Sequence, residues 1–384
     1  MRNSGSIQLK ETPRRMEGRA RACTVTSDLA PDSVLVPGTT LPLGESLMLC
    51  HDRVSGLSAA IAIDDTTLGP GLGGVRWMAY PSFDVAVDEA CRLSRVMTLK
   101  NALAGIPYGG AKSVILRSEA MDGAGGEPLE SRAGQLLAFA GFVNRLGGTY
   151  VPGVDMGTSV ADMATIATVS PWASCNHRDP SPATAQGVFF AIEAAVRHSL
   201  GSNLKGVRVT VQGVGHVGAA LSERLSAAGA LVTVTDVDRM RALEVANRVH
   251  GGTVDPDDAL ALECDVFAPC ASARVLNAKS IGDLRCPLIV GAANDVLSER
   301  ADAALLAQRA IVYVPDFVSN AGGVIDIHAG RVEWTQEQLA AALAEIGQLT
   351  TRLLESADRG RSTPLAIAEE MASDRLGHSV TIPD

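Results

Sequence analysis

Two lysines twelve residues apart, in Met97-Thr98-Leu99-Lys100-Asn101 and Gly109-Gly110-Ala111-Lys112, are the side chains of this sequence best suited to chemistry. A lysine directly behind two glycines can be approached closely, because no β-carbon blocks the backbone there. Desolvation, helped by a second cation, depresses a lysine pKa and makes it a usable base near neutral pH. An isolated GGxK is more often a surface lysine after an ordinary turn, so the rest of the chain has to decide. Tyr150-Val-Pro-Gly153-Val-Asp155-Met-Gly157-Thr158 adds an acid between turn glycines. Asp-x-Gly is common turn or cap chemistry; near two lysines the same carboxylate could hold a proton or orient a water.

The second half carries a different kind of site. Val207-Arg-Val-Thr-Val-Gln212 reads as a strand, followed by Gly213-Val-Gly215-His216-Val217-Gly218 and a helical stretch through Leu221, Leu225 and Ala228. Leu231-Val-Thr-Val-Thr-Asp236 is a second strand, ending in an acid 18 residues after the last motif glycine. Strand, GxGxxG, helix and distal acid together form the dinucleotide-binding fingerprint, where a lone GxGxxG would be weak. The glycines let a pyrophosphate reach the helix N-terminus, where free N–H groups and the dipole favour negative charge. Asp236 would accept hydrogen bonds from ribose hydroxyls and repel a 2′-phosphate, so NAD is favoured over NADP; Arg239 and Arg241, close behind, weaken that preference. His216 sits at a variable position of the motif and reads as exposed filler.

The elements that must position these residues follow from periodicity. At 384 residues, with 46% hydrophobic and 20% charged residues, the chain has apolar material for two cores. Leu57–Ile63 reads as a strand, the Gly69–Trp77 stretch as a glycine-rich loop, and Val85 to Met97 as an amphipathic helix with Lys100 at its end. Ser113–Leu116 is a buried strand with Lys112 at its mouth, and a helix spans Ala133 to Leu146. Three further short apolar runs, Asp265–Cys270, Leu288–Ala293 and Ile311–Asp316, extend a doubly wound parallel sheet. Ligands bind at the C-terminal ends of such strands, which makes Asn294 and Asn320 candidate contacts, although asparagines there are often helix caps. Thr335 with Gln338 forms a capping box, and Pro364 starts a last helix after Thr363.

Composition narrows the function classes. A net charge of −10 argues against a general nucleic-acid or membrane-surface binder. Seven scattered cysteines without CxxC spacing read as reduced thiols of a cytoplasmic protein, and the histidines and cysteines do not cluster, so no metal site is expected. Residues 1–42, basic and aperiodic, read as a disordered extension or the product of an upstream start codon.

Taken in order, Gly69-Pro-Gly-Leu-Gly73-Gly74-Val-Arg, Met97-Thr-Leu-Lys-Asn, Gly109-Gly-Ala-Lys112, Asp155-Met-Gly-Thr, Pro180-Ser-Pro-Ala-Thr184-Ala-Gln-Gly, the GxGxxG segment, Cys264-Asp-Val-Phe-Ala-Pro-Cys, Gly291-Ala-Ala-Asn294 and Pro315-Asp-Phe-Val318-Ser-Asn320-Ala-Gly-Gly resemble the glutamate/leucine/phenylalanine/valine dehydrogenase family. The likeness is to its shorter leucine, valine and phenylalanine members and spans roughly residues 43 to 375. It implies two α/β domains: substrate binding and oligomerisation over 43–184, a Rossmann-type NAD domain over 185–325, and C-terminal helices over 326–384 packing back on the first domain. It implies NAD-dependent, reversible oxidative deamination of an apolar L-amino acid, aromatic or branched-chain, by a homo-oligomer without nucleic-acid or membrane partners.

By the same resemblance, Lys100 binds the substrate α-carboxylate beside Gly73, Gly74 and Met97. Lys112 is the acid/base that activates water, and Asp155 transfers protons. Thr184 and Asn294 contact nicotinamide and substrate, and Gly153 and Val318 shape the side-chain pocket. Gly213, Gly215, Val217, Gly218, Asp236, Ala268 and Asn320 complete the cofactor site. Trp172-Ala-Ser-Cys-Asn-His-Arg-Asp departs from the family pattern, which leaves an unusual substrate open. A malic-type dehydrogenase would instead need metal-binding carboxylates, and a non-catalytic NAD sensor would show no turnover.

Overall fold

The computed structural model describes residues 44–117, 129–175, 178–271 and 273–382; the expectation for residues 1–42 lies outside them. The chain opens with β1 (Ser46–Asp52), β2 (Leu57–Asp65), β3 (Gly71–Met78), α1 (Phe83–Leu103), β4 (Gly109–Leu116), α2 (Leu129–Arg145), β5 (Tyr150–Val154) and α3 (Val160–Ala167). The five strands form one sheet in the order β1-β2-β4-β3-β5, antiparallel from β1 to β4 and parallel from β4 to β5. Period-two alternation in β2 sends Ile61 and Ile63 to the α2 side, with Phe139 and Val143, and Ala60 and Ala62 to the α1 side, with Ala86 and Ala90. The small residues let α1 lie close on the sheet. At Gly110 a β-carbon would stand 2.2 Å from the Thr98 backbone nitrogen, so the glycine before Lys112 is what allows α1 to bring Lys100 near it.

The second half comprises α4 (Ser181–Leu200), β6 (Arg208–Gln212), α5 (His216–Ala227), β7 (Leu231–Thr235), α6 (Arg239–Arg248), β8 (Gly252–Thr253), β9 (Val266–Pro269), α7 (Ala278–Asp283), β10 (Leu288–Ile289), α8 (Asp302–Gln308) and β11 (Val312–Tyr313). Its six strands are all parallel, in the order β11-β10-β9-β6-β7-β8. The order reverses between β6 and β9, the switch point where a doubly wound sheet opens a ligand crevice. Then come α9 (Asp316–Ser319), α10 (Gly322–Arg331), α11 (Gln336–Gly360) and α12 (Pro364–Leu376). Thr335 and Gln338 form the expected capping box, and Pro364 occupies the first turn of α12 after Thr363. The C-terminal packing is divided: α12 lies against α1 of the first half, whereas α11 lies chiefly along α4. One apolar core runs from Leu72, Val96 and Leu99 into the parallel sheet and the last helices, so the two halves are packed together.

Two local expectations are corrected. The Gly69–Trp77 stretch is mostly strand β3, not loop, because its glycines serve close strand packing: a β-carbon at Gly73 would fall 1.6 Å from the Ala111 carbonyl oxygen. Lys112 is inside β4, between Ala111 and Ser113 in the ladder, and not at the mouth of a later strand. Among the described residues, no helix is long and apolar enough to cross a membrane, and no group of three His, Cys, Asp or Glu side chains is arranged to hold a metal.

Candidate active site

A cleft of about 710 Å³ lies between the first sheet and the C-terminal ends of the parallel strands, lined by Gly73, Gly74, Met97, Lys100, Lys112, Gly153, Asp155, Thr184, Val217, Asn294 and Asn320 among others. Residues from four segments of the first half thus meet residues from four segments of the second. Both lysines are buried, at 6% and 5% exposure. Lys112 Nζ is 2.8 Å from Asp155 Oδ2, and Arg76 Nε, from β3, donates to the same oxygen at 2.8 Å. Lys100 Nζ donates to Asn294 Oδ1 at 2.8 Å, and Asn320 Nδ2 donates to that oxygen at 2.9 Å.

Backbone contacts fix these side chains. The Asp155 amide donates to Thr158 Oγ1, whose hydroxyl lies 2.8 Å from the Val75 carbonyl, so the Asp155 turn is tied to β3. Gly157, at φ +79°, has Trp77 O where a β-carbon would sit, at 1.9 Å, which explains a glycine two residues after the acid. Tyr150 OH, bonded to Ser113, reaches the Gly73 carbonyl at 3.1 Å and holds the glycine strand in place.

Electrostatics follow from burial and pairing. Burial lowers the Lys100 pKa to about 8 against the pull of Asp316, and lowers that of Lys112 against the pull of Asp155. Burial alone would raise the Asp155 carboxyl; Lys112 and Arg76 outweigh it and hold the group well below the usual carboxylate range. The site therefore pairs a lysine whose proton is loosened by burial with a carboxylate held in its charged form by two cations.

The parallel sheet supplies a second, contiguous part. Gly215 is the N-cap of α5 and has no side-chain cap, so the first N–H groups of the helix remain available. At Gly218 a β-carbon would stand 1.9 Å from the Gly213 carbonyl oxygen, the close strand–helix packing the third glycine permits. Asp236 lies just after β7, its Oδ2 accepting from the Val214 amide at 2.9 Å. Asn320, which lines the cleft, has its Oδ1 buried without a partner. A free helix N-terminus, a glycine turn, a strand-end acid and an orphaned amide oxygen fit a nicotinamide dinucleotide.

Not every candidate falls here. Val318 is buried in α9 and lines a separate cavity with Leu103, Ala321 and Trp334, because the short helix turns it away from the cleft. The corresponding walls are Val324 and Ile327, in the first and second turns of α10, together with Leu72. Ala268 is fully buried within β9, paired with Val211, and Ala292 reaches the cleft instead. His216 is exposed as expected, yet it stands on the cleft rim 3.4 Å from Asp179. A helical step from the Gly-Gly pair, placing Val324 and Ile327 on one face, could have indicated both pocket residues.

Comparison with known proteins accords with this geometry. Residues 46–170 match the dimerisation domain of Glu/Leu/Phe/Val dehydrogenases, and residues 177–240 and 238–376 match the glutamate/leucine/phenylalanine/valine dehydrogenase domain. Leucine dehydrogenase of Thermoactinomyces intermedius is 37% identical over 341 residues, covering 86% of this chain and 90% of its own. Valine dehydrogenase of Streptomyces albus is 37% identical over 346 residues, covering 87% and 93%. The crystal structure of L-tryptophan dehydrogenase from Nostoc punctiforme superposes with a TM-score of 0.73 at 34% identity, over 87% of this chain and 96% of that one.

Proposed function

The chain belongs to the Glu/Leu/Phe/Val dehydrogenase family, and from that premise we propose how its cleft works as the active site of an amino-acid dehydrogenase. The reaction is NAD-dependent oxidative deamination of an apolar L-amino acid: amino acid, NAD and water give the 2-oxo acid, ammonia and NADH, reversibly. The observation that carries this reading is the convergence of Lys100, Lys112 and Asp155 opposite Asn294 in one cleft that continues to the glycine turn of the nucleotide fold.

When bound, the nicotinamide ring supplies the acceptor for the α-hydrogen as hydride. Lys100 pairs with the substrate α-carboxylate, and Asn294, already on Lys100 Nζ, sets the direction of that ammonium. The substrate reacts with its amine neutral, its proton given up to solvent, so that loss of hydride leaves an iminium. Neutral Lys112 takes a proton from the water that attacks it, and the resulting carbinolamine collapses with proton transfer through Asp155 to the departing amine.

The apolar lining of Leu72, Met97, Gly153, Val324 and Ile327 selects against a charged side chain. Gly153 contributes no side chain, which favours a large apolar or aromatic substrate. Asp236, oriented by the Val214 and Asp238 amides, favours NAD over NADP. The match of residues 46–170 to a dimerisation domain supports a homo-oligomer, and the leucine and valine dehydrogenase relatives favour this reading over the malic-type and sensor alternatives. The test is a panel of L-amino acids with NAD or NADP. NADH and ammonia formed in equal amounts from apolar but not acidic amino acids are expected; no turnover with any would overturn the reading.

A further inference from the structure

Arg76 is a buried cation in direct contact with the acid/base pair that the proposed chemistry leaves unused. It lies in β3 on the face that also carries Lys112, and it is 5% exposed. Its Nε donates to Asp155 Oδ2 at 2.8 Å, the oxygen that also meets Lys112 Nζ at 2.8 Å. Its Nη1 donates to Glu89 Oε1 of α1 at 2.5 Å, and Glu89 is held from its other side by Arg92. Asp155 and Glu89 are thus bridged by a fixed guanidinium, and two cations share one carboxylate oxygen.

We propose that Arg76 is a positioning residue for the acid/base pair: it keeps Asp155 charge-balanced when Lys112 is neutral, and so lets Lys112 give up its proton within the cleft. The inference rests on the reading of Lys112 as the acid/base.

The reason is electrostatic. If Lys112 were the sole partner of Asp155, deprotonating it would leave a buried carboxylate without a counter-charge, which is strongly unfavourable. The ammonium would then hold its proton. With Arg76 present the carboxylate stays paired in both states of Lys112, and the like charge of Arg76 further disfavours the lysine cation. The bidentate fork of arginine suits this bridging role, because one donor faces each carboxylate. The other charged or titratable groups around the pair are Lys100 and Glu89 from α1, Tyr80 beyond β3, and Asp316 on the far side of Lys100. Glu89 opposes Arg76: its negative charge favours the lysine cation.

The experiment is the pH profile of kcat for deamination at saturating amino acid and NAD, in the parent, Arg76→Gln, Arg76→Lys and Glu89→Gln. The substrate amine titrates alike in all four, so only differences are read. In Arg76→Gln the low-pH limb moves up by about one pH unit or more, a roughly tenfold loss below the limb that is recovered at high pH. Arg76→Lys returns the limb toward the parent position even where its plateau is lower. Glu89→Gln moves the limb the opposite way, to lower pH, which generalised structural damage does not do. A folded Arg76→Gln with an unmoved limb overturns the proposal. If that variant does not fold, Glu89→Gln decides, and an unmoved or raised limb overturns it. Lys112→Ala separates the two levels: retained deamination overturns the acid/base reading and this inference together, whereas a dead Lys112→Ala with an unmoved Arg76→Gln limb overturns this inference alone.

Discussion

Replacing Lys100 by Met is expected to stabilise the protein while removing substrate binding. The buried ammonium loses its proton at about 8 instead of the ordinary 10.5, and at about 1.4 kcal/mol per pH unit that displacement is a folding cost of about 3 kcal/mol at pH 7. Methionine fills similar space without charge. It forfeits the hydrogen bond to Asn294 Oδ1, worth about 1 kcal/mol, but that oxygen is not orphaned, because Asn320 Nδ2 still donates to it at 2.9 Å. Asp316, whose carboxyl is raised by burial and restrained by Lys100, loses its neighbouring cation, which trims the gain further. The net expectation at pH 7 is a stabilisation of about 1–2 kcal/mol, or roughly 2–4 °C in Tm for a chain this long. The folded-state pKa is depressed, so the unfolded chain binds the extra proton between pH 8 and 10.5 and parental stability rises across that window. The advantage of Lys100→Met is therefore full below about pH 8 and gone by about pH 10.5. Thermal unfolding of both proteins across this range, with kcat/KM for the amino acid, is the assay. A variant less stable than the parent at pH 7, or a difference that does not change with pH, would refute the reasoning.

Two further substitutions test the specificity elements. A β-carbon at Gly153 would stand 3.2 Å from Ser174 Oγ and 3.4 Å from Ile327 Cδ1, so Gly153→Ala fits with small shifts and narrows the pocket. The ratio of kcat/KM for aromatic over branched-chain amino acids should fall by roughly 10- to 200-fold, and an unchanged ratio would remove Gly153 from the pocket. Asp236→Ala should lower kcat/KM for NAD by roughly tenfold or more, the worth of a charge-assisted hydrogen bond. It should also raise the relative use of NADP, because Arg241 Nη1, 3.6 Å from Asp236, is released.

The nucleotide half was legible because its signals are local: strand, glycine turn, helix and acid follow one another, and the structure keeps that order from β6 to β7. The ends of α1, the capping box of α11 and the start of α12 were readable for the same reason. Gly69 to Gly74 misled because four glycines in six positions suggest a loop, whereas Gly71, Gly73 and Gly74 remove side chains so that β3 can pass against Ala111 and Asp155. Val318 and Val324 are six residues apart and both apolar; only the turn between α9 and α10 decides which faces the cleft. The Arg76–Asp155 and Lys100–Asn294 contacts join residues 79 and 194 positions apart, and no periodicity carries such pairs. The lysines and the acid could be named from their motifs, but the charge balance that sets their protonation could not.

The most direct measurement of the central claim is amino-acid-dependent NADH formation by Lys112→Ala, beside NAD binding to the same protein. Lys112 pairs with Asp155 of the first half, whereas the uncapped α5 N-terminus belongs to the second, so turnover should fall by about 10²–10⁴-fold while the Kd for NAD stays near the parental value. Turnover close to the parent would contradict the assignment of Lys112 as the acid/base of this dehydrogenase.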